Sequence, residues 1–133
     1  PPRSTLFPYT TLFRSRDVAR VLAPSGMLLA NLADEPDRRW TGRVVGGVVE
    51  AGLTEVDLLG THDVLKGRRF GNLVLVARRH GVVAGPELAR AVARGTLRAG
   101  TRRPGPAAYG KGFSDADAEP SPPPPDLGRW RLR

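Results

Sequence analysis

The sequence contains no cysteine. That excludes disulfide stapling, thiolate metal ligation and cysteine nucleophiles. Its two histidines, His62 and His80, have no partner at ligand spacing, so no metal site is expected. Aromatic residues are scarce, eight in 133, and three of them (Phe7, Tyr9 and Phe13) fall in the first 15 residues. A core must therefore be filled by Val, Leu and Ala. No apolar run approaches the roughly 20 residues that cross a bilayer, so no membrane segment is expected. The single methionine, Met27, lies inside an apolar run, and no natural start codon product is visible.

Positive charge, by contrast, is abundant. The net charge is +8, carried by 19 Arg and only two Lys, Lys66 and Lys111. Arg, Ala, Gly and Pro all have GC-rich codons, so this bias fits a GC-rich genome better than selection for phosphate contacts. Residues 16–95 hold 12 basic against 9 acidic residues, and residues 96–133 hold 7 against 4. Neither segment forms a basic stripe interleaved with aromatics, so nucleic acid is not an expected partner. The rival reading is a small basic nucleic-acid-binding module acting through Arg78-Arg79, Arg102-Arg103 and the arginine-rich end, Arg129, Arg131 and Arg133.

Residues 1–15 contain Thr-Leu-Phe twice and read as a translated sequencing-adapter artefact. Val18, Val21 and Leu22 then give a helical face over about 16–23, stopped by Pro24-Ser25-Gly26. Met27–Leu32 is an apolar run suited to a buried strand. Asp34 is a good N-cap for a helix over about 35–51, with Glu35 and Asp37 in its first turn. Trp40, Val44, Val48 and Ala51 form its apolar stripe, while Gly42, Gly46 and Gly47 each weaken it by about 1 kcal/mol. Strands follow near 54–59 and 72–77. The first, of mixed polarity, suits an edge; the second, apolar throughout, suits the interior. The connection Gly60–Gly71 reads as a loop. Pro86 opens a last helix near 86–94 and Gly95 closes it. Residues 96–133 are rich in Pro, Gly and Arg and read as a disordered tail, polyproline-like at 122–125. Gly110–Gly112 is too short for a phosphate loop and follows no strand.

Three segments, Arg20–Asp34, Leu65–Ala77 and Ser114–Pro125, in this order resemble the C-terminal part of spermidine synthase-like proteins of high-GC actinobacteria. Those proteins belong to the class I S-adenosylmethionine-dependent transferase superfamily. The resemblance implies an α/β fold, the C-terminal half of a Rossmann-like class I methyltransferase sheet, over residues 16–95. It also implies that an antiparallel strand 72–77 inserts between 27–32 and 54–59. The implied activity of the parent protein is aminopropyl transfer from decarboxylated S-adenosylmethionine to a diamine. Methyl transfer from S-adenosylmethionine, or a non-catalytic relative, are the alternatives. The family's cofactor loop and catalytic acids map upstream of this chain, so neither catalytic nor cofactor-binding residues are assigned, and the chain alone is expected to be inactive. Asn31 and Asp34, at the carboxyl end of the first strand, are the candidate substrate-binding residues. For Asp34 a helix cap is the preferred reading; for Asn31, capping the strand end and contacting ligand stand level. Expected partners are a small-molecule amine in the parent, and a second copy through the exposed sheet edge. A cytoplasmic protein is expected.

Overall fold

The structure, a computed structural model, describes residues 10–82 and 85–113. Elements run α1 (Thr10–Val21), β1 (Met27–Asp34), α2 (Arg39–Glu50), β2 (Glu55–Thr61), α3 (His62–Leu65), β3 (Gly71–Arg78), α4 (Pro86–Ala93) and β4 (Ala99–Arg102). A 3-10 turn, Pro106–Ala108, follows. The four strands form one sheet in the order β1-β3-β2-β4, every neighbouring pair antiparallel. Insertion of β3 between β1 and β2 is the arrangement that the family resemblance implies.

Alternation along the strands puts one face of the sheet against the helices. Leu28, Ala30 and Leu32 of β1 lie opposite Ala77, Leu75 and Leu73 of β3, which in turn face Val56, Leu58 and Gly60 of β2. These side chains meet Ala19 and Leu22 near the end of α1, and Val44, Val45 and Val48 of α2. Leu73 and Leu75 are wholly buried, each contributing about 1.5–3 kcal/mol. On the other face of β1, Met27 and Leu29 remain 50% and 60% exposed.

Several expectations are corrected. The strand at 54–59 is not an edge: β4 pairs along its far side, Leu59 opposite Thr101. Its acidic residues are there for a different reason. Asp57 accepts a 3.1 Å hydrogen bond from Arg78, with both side chains nearly buried, and Arg103 meets Glu55 at 3.1 Å. The supposed tail past Gly95 is ordered through Phe113, because β4 and the segment after it have surfaces to pack on. The polyproline stretch 122–125 lies outside the described residues. The connection 60–71 contains α3, whose Val64 and Leu65 are buried. α1 runs from Thr10 to Val21 where a helix over about 16–23 was expected, with Ser15 buried; residues 1–9 lie outside the described range. Finally, α2 starts at Arg39 rather than 35. Glu35 precedes Pro36, which disfavours helical backbone at that position.

The glycines of α2 have a purpose that helix propensity hides. Residues 103–113 form a strap that runs along the helix in the same direction. The Gly110 N–H donates to the Gly42 carbonyl at 2.8 Å, and the Gly112 N–H donates to Glu50 at the far end, at 3.4 Å. A Cβ on Gly46 would stand 1.8 Å from the Gly110 carbonyl oxygen. Phe113 then stacks on Trp40, ring centroids 5.0 Å apart, with the Arg43 guanidinium 4.0 Å from its ring centre.

Candidate functional site

β1 extends two residues beyond the predicted strand, so Asn31 is an interior strand position paired with Val74. It projects to the exposed face. Asp34, three residues on, projects to the opposite face and is 2% exposed. The two candidate residues are therefore not brought together. The carboxylate of Asp34 is fully engaged: Oδ1 accepts from the Glu35 N–H at 2.8 Å and Oδ2 from the Thr41 N–H at 2.6 Å. Thr41 is the third residue of α2, so Asp34 satisfies one of the helix's unpaired donors from seven residues away. It is a cap, delivered from the strand rather than from the N-cap position. That position belongs to Arg38, in the left-handed region at φ 55° and without a side-chain cap bond.

Arg38 marks a constellation that sequence reasoning missed. Its guanidinium donates to the Leu65 carbonyl at 2.8 Å, and the Arg102 guanidinium, from the end of β4, donates to the same oxygen at 3.0 Å. Burial, and then the neighbouring Arg102 charge, hold the Arg38 pKa below the ordinary guanidinium value, against a partial counter-effect of Asp34. Both arginines line a cavity of about 370 Å³ between α2, β4 and the strap, together with Thr41, Arg39, Arg43 and Tyr109. The sequence placed Arg38 inside the expected helix 35–51, so its position before the first turn of α2 was not visible. The approach of Arg102 depends on β4, which the sequence pattern did not disclose.

With the sheet order and the β1–α2 junction described, the fold can be placed. It is similar to part of a probable spermidine synthase from Corynebacterium glutamicum. The two chains are 24% identical and superpose with a TM-score of 0.65; the match covers 86% of this chain and 44% of the other. The chain thus spans less than half the length of the protein it matches, and at this identity the likeness establishes the fold. No protein-family model and no curated protein matches the sequence.

Of the basic residues named for a nucleic-acid module, the four within the described residues are tied into the fold; the arginine-rich end lies outside them. Arg78 is buried on Asp57. Arg79 donates to the Ala19 carbonyl, and to that of Leu22 at 3.0 Å, at the end of α1. Arg102 is held on Leu65, and Arg103 bridges Glu55 and Asp57. Exposed His80 lies 3.7 Å from the Glu55 carboxylate. No helix among the described residues is long and apolar enough to cross a membrane.

Proposed function

We propose that this chain is the sheet-closing, C-terminal part of an aminopropyltransferase of the spermidine synthase type. The activity of the whole protein would be transfer of an aminopropyl group from decarboxylated S-adenosylmethionine to a diamine. The observation that carries this reading is the sheet order: β3 lies antiparallel between two strands that run in the same direction as each other. That order closes the second half of a class I transferase sheet, and the structural match agrees with it over 86% of the chain.

Within this reading the chain supplies support more than chemistry. Asp34 anchors the first turn of α2 against the end of β1 through the Thr41 N–H. Asn31, on the open face of β1, is the side chain offered to the amine. The cofactor's contacts are assigned to residues outside this chain. The test is an aminopropyl-transfer assay with labelled decarboxylated S-adenosylmethionine and putrescine. It compares the 133-residue chain with a version joined to its upstream coding sequence. The short chain is expected to be silent and the longer one active. A well-folded longer protein that transfers nothing to any diamine would refute the proposal; methyl transfer from S-adenosylmethionine in its place would identify a methyltransferase.

A further inference from the structure

We propose that β1 is a pairing surface for a second copy of this chain, joining two four-stranded sheets into one across a two-fold axis, independent of the transferase reading. The two edges of the sheet differ in a way that singles out β1. β4 is four residues long, has α4 packed beside it and runs into Arg102, Arg103 and Pro104. Short length, charge and helical cover all blunt an edge against further pairing. β1 has none of these. It keeps register with β3 residue by residue from Met27 to Asp34, without a bulge. Alternate residues therefore turn their N–H and C=O groups away from β3 along the whole strand, and residues 27–33 contain no charge and no proline.

Cover over β1 is thin on its faces as well. Leu73, Leu75 and Ala77 of β3 are wholly buried, whereas Leu32, Ala30 and Leu28 opposite them are only partly buried beneath the helices. On the other face Met27, Leu29, Asn31 and Ala33 are exposed. Charge selects the occupant. The chain carries +8, so two copies repel over much of their surfaces, and at this uncharged strand they can approach without like charges meeting. Antiparallel pairing about an axis through Ala30 keeps the helix-bearing faces of both sheets on one side. It sets Leu28 opposite Leu32, Leu29 opposite Asn31 and Met27 opposite Ala33. Asp34, already engaged by the Glu35 and Thr41 N–H groups, stays outside the overlap. Each copy offers the same strand, so the contact is self-complementary and closes at two, with the blunted β4 left at both outer edges.

Sedimentation velocity of the full chain, from micromolar to submillimolar concentration, tests the contact. A reversible monomer–dimer equilibrium is expected, and it should tighten as added salt screens the repulsion between the two basic chains. Asn31→Lys, at an exposed position, sets a cation opposite Leu29 of the copy and should weaken the dimer at least tenfold. Leu97→Lys adds the same charge at a site 71% exposed just before β4 and should leave it nearly unchanged. A second measurement does not depend on the lysine variants and reads the register. The chain has no cysteine, so Ala30→Cys introduces a single thiol that lies opposite its own copy. Directly opposed antiparallel residues fall within disulfide range, and mild oxidant should give a covalent dimer, whereas Leu97→Cys should stay monomeric under the same conditions. A chain that is monomeric at every concentration would overturn the proposal and leave the edge to another occupant, such as a strand from an upstream segment. Open-ended oligomers, a dimer that salt weakens, equal losses in Asn31→Lys and Leu97→Lys, or no preference for crosslinking Ala30→Cys over Leu97→Cys would each overturn it too.

Discussion

Replacing Gly46 by Ala sets two physical effects against each other, and the structure decides the sign. Helix propensity alone favours Ala by about 1 kcal/mol at an interior helical position. The new Cβ, however, would lie 1.8 Å from the Gly110 carbonyl oxygen and 3.0 Å from its carbon. Both are backbone atoms, so no side chain can swing aside. Restoring ordinary contact distance requires the strap to retreat by roughly 1.5 Å. That movement loosens the Gly110 to Gly42 hydrogen bond, about 1 kcal/mol. It also disturbs the Trp40–Phe113 stack, about 0.5–1.5 kcal/mol, and the Arg43 contact over the same ring, about 0.5–1 kcal/mol. The losses exceed the gain, and Gly46→Ala should destabilise the protein by about 1–3 kcal/mol. For a domain of this size the melting temperature should fall by roughly 5–15 °C. Gly42→Ala, whose Cβ would meet the Ala108 carbonyl at 3.0 Å, should be much closer to neutral. In a Phe113→Ala background, where the strap is already weakened, the cost of Gly46→Ala should shrink. Thermal melts by circular dichroism read the four variants against wild type. A Gly46→Ala protein that melts higher than wild type would refute the account of the strap.

Asp34→Ala leaves the buried Thr41 N–H without an acceptor and should cost about 2–3 kcal/mol in urea unfolding; Asp34→Asn, which keeps one acceptor oxygen, should cost about 1 kcal/mol. Arg78→Met strands Asp57 in the sheet and should cost about 3 kcal/mol, with Arg103 at 3.6 Å blunting the loss. Most of that should return in the Arg78→Met/Asp57→Leu double variant, measured by the same unfolding assay. Leu29, 60% exposed on a strand paired on one side among the described residues, should favour self-association at high concentration. Leu29→Lys should reduce it in sedimentation velocity, and an unchanged profile would place any contact elsewhere.

Strand existence was legible because β1 and β3 are apolar runs, the first preceded by Pro24-Ser25-Gly26 and the second set between Gly71 and Arg78-Arg79, although β1 proves covered on one face and not on both. The antiparallel insertion followed from family resemblance together with the contrast in polarity between β2 and β3. What misled was reading Glu55 and Asp57 as solvent-facing. A charge buried against Arg78 looks the same in sequence as a charge in water, since its partner lies 21 residues away. The ordered stretch 99–113 was hidden for a similar reason. Gly110 and Gly112 look like flexible linker, yet they fit a groove that exists only because Gly42 and Gly46 face them from α2. Asp34 was legible as a cap, but its target could not be, because the detour through Pro36 moved the helix start four residues on. The arginine cavity depends on three separate elements and left no local signature at all.

The position of β3 also sets a timetable for the growing chain. β1 and β2 leave the ribosome first, yet in the finished sheet they never touch; each pairs only with a strand synthesised after both. Met27 must wait for Arg78, and Glu55 waits for the same residue. Until then β1, an apolar ribbon, and β2, which carries Glu55 and Asp57, have no strand between them to pair with. Closure of such distant pairs is slow, and unpaired strands are the ones that chaperones intercept. Cells holding many unfinished copies at once should therefore accumulate inclusion bodies through pairing between chains, and a lower expression level should return soluble material without any change in sequence.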